Sequence, residues 1–376
     1  MQRHDSHRSE PLFGTNSIGT PFIADTRDKG NYYININLGT PPKRYAVMVD
    51  TGSSFSWVQC QPKPNSSAST TFKKLPCSTT QCKLLREATP EGPDCTSPRE
   101  CKYKASYVDG TFSFCYLTQD SLTLTQSEET LSGFVFGCGH WQDSNGSTFT
   151  SESAGLVGMT RNNKLSMISQ LSAKYGHDFS YCLPTAQGGS GGSLFIGKDS
   201  LTRSSYNFTP MLTNSKDSGL YGLNLTAIVV ANRTLGLDYN KDPTIIDSGT
   251  MVTRLPTLVY ASLRYEFKRI MSLEKKNILV DLSSKEFLDT CYKGSLKEMS
   301  SYVPQVRMVF QGGVELPLAP QNLLVEGNKP GTVCLAFANY MDNGGTAIIG
   351  NIQLQTYSVA YDVSNSRIGF AAGGCS

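Results

Sequence analysis

Two copies of one short motif, an aspartate that follows a run of apolar residues, constrain this chain more than any other feature. The first copy, AVMVDTGSSFSWVQ, contains Asp50, and the second, TIIDSGTMVTRL, contains Asp247 about half a chain length away. Each copy has a matching follower, because AGLVGM carries Gly158 and AIIGN carries Gly350, at intervals of 108 and 103 residues. An ordered pair of motifs that recurs at nearly one interval predicts a duplicated unit, so we expect each half of the chain to form one lobe.

Either copy taken alone is weak evidence, because aspartate and glycine are also common in turns. Two such aspartates, however, predict a site in which two carboxylates face one another. Such a pair cannot easily ionise twice, so it holds one proton over an acidic range while one group acts as a base and the other as an acid. A water molecule activated between them can attack a peptide carbonyl without a covalent intermediate. The motif hydroxyls that can orient the carboxylates are those of Thr51, Ser53, Ser248 and Thr250.

The composition agrees with two large lobes and argues against two classes of partner. The chain has 376 residues, of which 39% are hydrophobic and 17% are charged, enough to fill substantial cores. The net charge is +3 and the lysines and arginines are scattered, so we expect no nucleic-acid partner. No apolar run approaches the roughly 18 to 20 residues of a membrane-spanning helix, so we expect no membrane partner.

Eleven cysteines indicate an oxidising compartment. Five of them crowd into 39 residues with turn-rich spacers: Cys77, Cys82, Cys95, Cys101 and Cys115. A zinc site is the alternative, but no Cys-x-x-Cys pair occurs and none of the four histidines lies nearby. Disulfides are therefore favoured and no metal is expected. Because the count is odd, at least one cysteine must stay free or pair between chains.

The amino terminus lacks the apolar core of a secretory signal, although the cysteines favour export. We therefore expect this chain to be part of a longer precursor, with residues 1–29 as a residual N-terminal segment, and we expect a secreted or vacuolar location. Five N-x-S/T sequons, about as many as chance would give, add weak support; they begin at Asn65, Asn145, Asn207, Asn224 and Asn232.

Short β-rich segments such as YYININLG and GLNLTAIVV predict a mostly stranded structure. Two segments, PTLVYASLRYEFKRIM behind Pro256 and LSMISQLSAKY, predict helices. Their expected core-facing stripes are Val259, Leu263, Phe267 and Ile270 in the first and Leu165, Ile168, Leu171 and Tyr175 in the second. The glycine-rich stretch AQGGSGGS resembles a linker near the boundary between the lobes. A phosphate-binding loop is disfavoured there, because neither a Lys-Ser/Thr ending nor a helix follows.

Together these motifs resemble those of pepsin-type aspartic proteases, specifically the plant nepenthesin-like group, from about Gly30 to Ser376. The motifs stand in family order: VDTGSSFSW, YKASYVDGTFS, AGLVGM, FSYCLP, IIDSGTMVTRLP, LDTCY, TVCLAF and AIIGNIQLQTYSVAYDVSNSRIGFA. The resemblance implies an all-β fold with a few short helices, in which two β-barrel-like lobes flank a central cleft. It places the lobes at residues 30–200 and 201–376. It also implies a monomer that acts on a peptide or protein substrate without a cofactor.

By the same resemblance, Asp50 and Asp247 form the catalytic dyad, and Thr51 and Ser248 match the hydroxyl pair that cross-links the two active-site loops. Ser53 and Thr250 match the hydroxyls that bond the outer carboxylate oxygens. The glycines of the two motifs, which allow a close approach of the backbone, are Gly52 and Gly249.

The resemblance also identifies a flap, a hairpin over the cleft, in which Tyr107 matches the flap tyrosine and Trp57 its hydrogen-bond partner. Asp109 and Gly110 complete the flap turn and belong to the expected substrate-binding region. Taken from the residues alone, Tyr107 is only an aromatic residue before an Asp-Gly turn. The order of the matched motifs is what assigns it to the flap.

Three departures from the family pattern concern the flap and the disulfides. Val108 stands where the family usually has glycine after the flap tyrosine, which predicts a stiffer hairpin. Cys115 stands where the family commonly has glycine, and the further cysteines that usually follow the position of Cys60 are missing. Cys115 is therefore the expected free thiol, unless it has taken over a partner that those missing cysteines left. The disulfides that the resemblance implies are Cys291–Cys334 and Cys182–Cys375.

The expected function is that of an aspartic endopeptidase, which cleaves peptide bonds flanked by bulky apolar side chains at acidic pH. The alternative is a catalytically weak or silent protein that uses the same fold as a binding or enzyme-inhibitor scaffold, since a fold alone does not settle function. The two complete Asp-Thr/Ser-Gly motifs favour the enzyme. A hydrolase with a single aspartate nucleophile on a parallel sheet is disfavoured by the strand-rich pattern.

Overall fold

The structure, a computed structural model, describes residues 17–24, 30–60, 69–89, 91–107, 110–124, 129–143, 153–185, 191–212, 219–237, 243–273, 288–340, 346–373 and 375. In the N-terminal half the strands are β1 (Ser17–Ala24), β2 (Tyr32–Leu38), β3 (Lys43–Asp50), β4 (Trp57–Gln59), β5 (Lys73–Lys74), β6 (Pro93–Asp94), β7 (Lys102–Ser106), β8 (Phe112–Leu124), β9 (Thr130–Asp143), β10 (Gly155–Gly158), β11 (Phe179–Cys182) and β12 (Ser193–Gly197). In the C-terminal half they are β13 (Asn207–Leu212), β14 (Gly222–Leu223), β15 (Leu225–Val230), β16 (Arg233–Gly236), β17 (Thr244–Ile246), β18 (Thr253–Pro256), β19 (Cys291–Lys293), β20 (Val306–Phe310), β21 (Val314–Leu318), β22 (Leu324–Glu326), β23 (Thr332–Leu335), β24 (Phe337–Tyr340), β25 (Ile348–Ile349), β26 (Tyr357–Asp362) and β27 (Arg367–Ala372). The helices are α1 (Thr80–Ala88), α2 (Met167–Tyr175), α3 (Thr257–Leu273), α4 (Leu296–Met299), α5 (Pro320–Leu323) and α6 (Asn351–Leu354), with a 3₁₀ helix at Lys198–Thr202.

Strands dominate the described residues, and the expected all-β class is confirmed. Twenty strands join one continuous sheet, β16, β15, β20 and β21 form a second, and β19, β23 and β22 form a third. The alternation in YYININLG buries Ile34, Ile36 and Leu38 of β2 on one side, as the period of a strand requires.

Six antiparallel strands, three from each half of the chain, tie the two halves together. Their order is β1–β12–β11–β26–β27–β13. Strand β1 belongs to the segment 1–29 that the sequence analysis set apart, and there it pairs with β12 from Ser17 to Pro21 and with β2 from Phe22 to Ala24. The described part of that segment is therefore an integral strand of the sheet.

The duplicated motifs occupy equivalent places in the two halves. Strand β3 ends on Asp50 and runs parallel to β10, with Gly158 opposite Asp50. Strand β17 leads into Asp247 and runs parallel to β25, which ends immediately before Gly350. Each follower glycine thus comes from the strand that flanks its own aspartate loop, and this explains why the two motifs recur as an ordered pair.

Both predicted helices are present, and they begin at Met167 and Thr257. Helix α2 begins at Met167 because the Ser166 hydroxyl caps it, accepting a hydrogen bond from the amide of Ser169 at 3.2 Å. Helix α3 begins at Thr257, so Pro256 ends β18 instead of lying in the first helical turn. The predicted stripe residues are buried, except for Ile270, which is half-buried. None of the helices in the described part of the chain is long and apolar enough to cross a membrane.

The glycine-rich stretch is not a linker between the halves. The part that is described, Gly191 onward, leads directly into β12, which pairs antiparallel with β11 just upstream of the stretch. The glycines therefore connect two neighbouring strands of one sheet, and residues 186–190 lie outside the described residues. A flexible composition indicated a loop correctly, but it carried no information on what the loop connects.

Five disulfides account for ten of the eleven cysteines: Cys60–Cys138, Cys77–Cys95, Cys82–Cys101, Cys182–Cys375 and Cys291–Cys334. Both pairs that the resemblance implied are confirmed. The remaining cysteine, Cys115, is a buried free thiol, as predicted. Burial raises the pKa of Cys115 to about 11, against the weaker opposing effect of hydrogen bonds with Ser113 and Tyr103.

Peptide mapping without reduction should therefore find five cross-linked pairs and an unlinked Cys115 peptide. Because the Cys115 thiol is fully buried and its pKa is raised, iodoacetamide near neutral pH should leave the native protein unlabelled. After unfolding in urea without reductant, the same reagent should label this one cysteine. Cys115 found in a cross-linked peptide of its own chain would contradict the assignment.

Candidate active site

The two motif aspartates lie on adjacent loops that come from opposite halves of the chain. Asp50 is the last residue of β3, and Asp247 follows β17 directly. A Cβ atom added to Gly52 would lie 2.8 Å from Oδ1 of Asp247, and one added to Gly249 would collide with the carboxylate of Asp50. Each glycine therefore lets the carboxylate of the opposite half approach to contact distance, which any side chain would prevent.

Thr51 and Ser248 join the two loops by reciprocal hydrogen bonds. The amide of Thr51 donates to Ser248 Oγ at 3.1 Å, and the amide of Ser248 donates to Thr51 Oγ1 at 2.9 Å. Each hydroxyl then donates to a carbonyl of the opposite strand, Ser248 Oγ to Val49 O at 2.8 Å and Thr51 Oγ1 to Ile246 O at 3.4 Å. Both side chains are buried, so these polar groups are satisfied without water.

Each carboxylate accepts the same two hydrogen bonds from its own motif. Asp50 accepts through Oδ1 from the amide of Gly52 at 2.8 Å and through Oδ2 from the Ser53 hydroxyl. Asp247 accepts through Oδ1 from its motif glycine at 2.9 Å and through Oδ2 from Thr250 Oγ1 at 2.7 Å. The two carboxylates therefore share one pattern of hydrogen bonds, each within its own motif.

Burial and the charge of Asp247 raise the pKa of Asp50 well above its ordinary value. Asp50 is only 6% exposed, and loss of water disfavours its ionised form. The neighbouring carboxylate adds repulsion, while the hydrogen bonds from Ser53 and Gly52 oppose both effects less strongly. A pair held in this way keeps one proton at pH values where an isolated aspartate has lost its own.

The follower glycines seat their strands directly against the aspartate loops. A Cβ atom on Gly158 would lie 2.6 Å from the amide nitrogen of Phe55, and one on Gly350 would lie 2.7 Å from the carbonyl oxygen of Met251. Both contacts are with backbone, which cannot move aside as a flexible side chain can. Only glycine therefore fits at these two positions, and the matching spacing in the sequence reflects this packing.

Tyr107 lies at the end of the hairpin formed by β7 and β8 and contacts Trp57. The amide of Gly110 donates to the carbonyl of Tyr107 at 3.0 Å, and Gly110 takes a φ of +85°, which closes the turn. Trp57, 1% exposed, donates through Nε1 to the Tyr107 hydroxyl. Val108 and Asp109 lie outside the described residues, so a stiffer hairpin stays a prediction.

Sequence reasoning missed several polar side chains beneath the aspartates. Nδ2 of Asn351 donates to the carbonyl oxygens of Ser248 and Gly30, at 3.0 and 2.6 Å. Its position next to the follower glycine in AIIGN was a signal that could have identified it. Tyr221 and Tyr361 are also buried there, but each reads in the sequence as an ordinary aromatic residue near or in a strand. No local signal separates them from other core tyrosines.

The structure offers little to a metal ion. Among the described residues, one group of three potential ligands lies close enough together, namely Cys77, Cys82 and Cys101. All three are bonded in disulfides, and a bonded sulfur is not the thiolate that zinc requires. The cysteine cluster therefore consists of disulfides that cross-link the chain around α1.

Comparisons with known proteins place this site in a family context. Two family models match, Xylanase inhibitor N-terminal over residues 32–198 and Xylanase inhibitor C-terminal over residues 220–372. An aspartyl protease family protein of Arabidopsis thaliana is 38% identical over 366 residues, which span 93% of this chain and 74% of that protein. Aspartic proteinase nepenthesin-1 of Nepenthes gracilis is 31% identical, over 92% of this chain and 78% of that protein.

Two solved structures share the fold at low sequence identity. Basic 7S globulin from soybean has a TM-score of 0.75 and 20% identity, over 95% of this chain and 97% of that one. Conglutin gamma, a basic 7S globulin from lupine seeds, has a TM-score of 0.75 and 19% identity, over 95% of each chain. This likeness extends over both halves of the chain, and the expected two-lobed, pepsin-like fold is confirmed.

Replacing Asp50 with asparagine should remove a pH-dependent loss of stability. The pKa of Asp50 is raised in the folded protein and is about 3.9 in an unfolded chain, so its contribution to stability is fully present below about pH 3.9 and is lost as the pH rises through the folded value. Urea unfolding from pH 3 to 7 should therefore show a flatter decline of stability for Asp50→Asn than for the wild type. The exposed Asp199→Asn variant should keep the wild-type slope, and equal slopes for all three proteins would contradict a shared proton.

Replacing Ser248 with alanine should weaken the link between the loops. The change leaves the amide of Thr51 without its acceptor and removes the donor to Val49 O. Since a buried group without a partner costs about 1–3 kcal/mol, we expect the free energy of unfolding to fall by about that amount. Ser262→Ala, which removes a hydroxyl bonded only to Leu258 O on the exposed side of α3, should change it by less than about 0.5 kcal/mol. Similar losses in both variants would count against the link.

Proposed function

This chain belongs to the plant aspartyl protease family that includes the nepenthesins, and we propose that it is an aspartic endopeptidase that hydrolyses peptide bonds at acidic pH. One observation supports this most directly. The carboxyl groups of Asp50 and Asp247 come from opposite halves of the chain, each lies against the motif glycine of the other half, and each is held in the same set of hydrogen bonds. A structural role would not require the buried carboxylate of Asp50 to meet the half-buried carboxylate of Asp247, because their repulsion opposes folding.

In the proposed mechanism, the pair shares one proton and binds the attacking water. The ionised carboxyl group takes a proton from the water as it attacks the carbonyl carbon, and the protonated group donates its proton to the carbonyl oxygen. When the tetrahedral intermediate breaks down, a proton passes to the leaving amine and the C–N bond breaks. The roles belong to the pair and not to one fixed residue, since the two groups titrate together.

The surrounding residues have distinct supporting roles in this proposal. Thr51 and Ser248 set the distance between the loops, and Ser53 and Thr250 orient the carboxylates. Tyr107, held by Trp57, covers the bound peptide, together with Asp109 and Gly110 of the flap turn. Bulky apolar side chains on either side of the cleaved bond are the expected preference.

We also propose that residues 30–200 and 201–376 form the two lobes and that the protein acts as a monomer in an acidic, oxidising compartment, extracellular or vacuolar. Five disulfides support such a compartment. Three of the sequon asparagines are described, and all of them are exposed and available for glycosylation: Asn207, Asn224 and Asn232.

A second candidate is a protein that binds and inhibits another enzyme without cleaving peptides. It is favoured by the names of the two family models, both of which describe xylanase inhibitors. The fold serves either function, so the site must decide between them. The complete set of hydrogen bonds around both carboxylates favours the protease.

Replacing either aspartate with asparagine should abolish the activity that this proposal requires. The wild type should cleave an unfolded protein with a bell-shaped dependence on pH, limited on the acid side by protonation of both groups and on the other by their ionisation. Asp50→Asn and Asp247→Asn should each lower kcat roughly 10²- to 10⁴-fold. The double variant should be little worse than either, because the residues act as one unit.

Asp199→Asn, which changes an exposed aspartate, is the matched control and should keep wild-type kcat. A wild-type protein that is folded, cleaves nothing between pH 2 and 6 and inhibits a xylanase would support the second candidate instead. Activity that survives in purified Asp247→Asn would show that the wrong carboxyl group has been assigned.

A further inference from the structure

A path of hydrogen bonds that passes through Tyr221 connects the two aspartate loops. The amide of Met159 donates to the carbonyl of Asp50 at 2.9 Å, and the hydroxyl of Tyr221 donates to the carbonyl of Met159 at 2.6 Å. The carbonyl of Tyr221 then accepts from the amide of Ile246 at 3.0 Å, and Ile246 precedes Asp247. Tyr221, a residue of the C-terminal half, therefore bonds both to the segment that supports the Asp50 loop and to the strand that leads into Asp247.

The side chain of Tyr221 is held in place by its packing. It is fully buried, and its ring packs edge-on against Tyr361, with ring centroids 4.6 Å apart, and against Phe179, with centroids 5.7 Å apart. The hydroxyl of Tyr361 in turn lies 2.9 Å from the hydroxyl of Tyr181, and the two share a hydrogen bond. The position of the Tyr221 hydroxyl is thus set by a buried aromatic cluster.

Arg161 makes a second connection between the same two segments. Its amide donates to Gly219 O at 3.0 Å, its Nε donates to Leu220 O at 3.2 Å, and its Nη2 donates to Leu212 O at 3.4 Å. Arg161 is 7% exposed, so a cation is placed in a nearly dry position where its bonded partners are carbonyl groups. Two residues after Met159, it holds the segment that leads into Tyr221.

We propose that Tyr221, supported by Arg161, is a positioning residue that sets the separation of the two dyad carboxyl groups. The role rests on the proposed protease function. The segment that follows Gly158 supports the loop of Asp50 through Met159, and Tyr221 couples this support to the strand that leads into Asp247. Without the hydroxyl the loops remain cross-linked through Thr51 and Ser248, but the carbonyl of Met159 loses its bond to Tyr221 and the supports of the two loops are joined less firmly.

A small change in the separation of the two carboxyl groups should have a specific effect on the kinetics. Substrate binding depends on the whole cleft, whereas proton sharing depends on the distance between two oxygen atoms. Tyr221→Phe should therefore lower kcat roughly tenfold to a hundredfold, because misplacement by about 1 Å has effects of that size, and should leave KM nearly unchanged. Weaker coupling should also bring the two apparent pKa values of the pH–rate bell closer together.

Tyr206→Phe is the matched control. The Tyr206 hydroxyl is likewise hydrogen-bonded, to Ser358 Oγ of β26 at 2.8 Å and to Ser200 O of the 3₁₀ helix at 3.3 Å. Neither partner belongs to the path between the aspartate loops. This variant should keep the wild-type kcat and bell width even if its melting temperature falls.

The experiment compares kcat, KM, bell width and melting temperature for the wild type, Tyr221→Phe and Tyr206→Phe. Arg161→Met, which keeps an unbranched apolar stem and removes the guanidinium group, is a second variant that tests the role if Tyr221→Phe does not fold. It should lower kcat roughly threefold to tenfold and narrow the bell, by the same displacement argument.

The possible outcomes distinguish failure of the proposed protease function from failure of the positioning role. A folded wild type without protease activity would refute the proposed function and this role with it. An active wild type, with a Tyr221→Phe variant that matches Tyr206→Phe in kcat and bell width, would refute the positioning role alone. A Tyr221→Phe variant with a lower melting temperature and an unchanged kcat would show that the Tyr221 hydroxyl contributes to stability only.

Discussion

Two carboxyl groups held close together, the buried one of Asp50 and the half-buried one of Asp247, are the constraint on which the rest of this structure depends. Burial, and after it the repulsion from Asp247, raises the pKa of Asp50. The same repulsion pushes the two loops apart, so other interactions must hold them together. The reciprocal bonds between Thr51 and Ser248 provide the direct link. The parallel strand pairs and the six-stranded sheet shared by both halves keep that link from rotating or opening. The glycines are the residues that allow such close packing.

The two halves repeat the hydrogen bonds of the aspartates but not their surroundings. The N-terminal half carries the flap contact between Trp57 and Tyr107 and three of the five disulfides. The C-terminal half instead places Asn351 beneath its loop. Two carboxylates with the same hydrogen bonds thus lie in different surroundings. Duplication explains the hydrogen bonds that they share, and later divergence explains the differences around them.

The sequence was most informative where function requires neighbouring residues in a fixed order. The aspartate motifs and the follower glycines were found because they depend on a local pattern. The odd number of cysteines required at least one without a partner in the chain, and the resemblance to the family pattern identified Cys115. Tyr221 and Arg161 were not found, because their partners are set by contacts between distant segments. The pairing of β1 with β12 was missed for the same reason. The glycine-rich stretch was misassigned because composition describes the flexibility of a loop and not the strands that it joins.

The central claim is that Asp50 and Asp247 share one proton in a single site. The most direct measurement is calorimetric titration with a peptide whose cleavable amide is replaced by a tetrahedral hydroxyl group, repeated in buffers of different ionisation enthalpy. Above the upper apparent pKa of the pair, binding to the wild type should take up about one proton, because the hydroxyl group replaces the attacking water and needs a protonated dyad. Asp50→Asn and Asp247→Asn should bind far more weakly and without this uptake. Binding of equal strength in all three proteins, with no proton taken up by the wild type, would contradict the account.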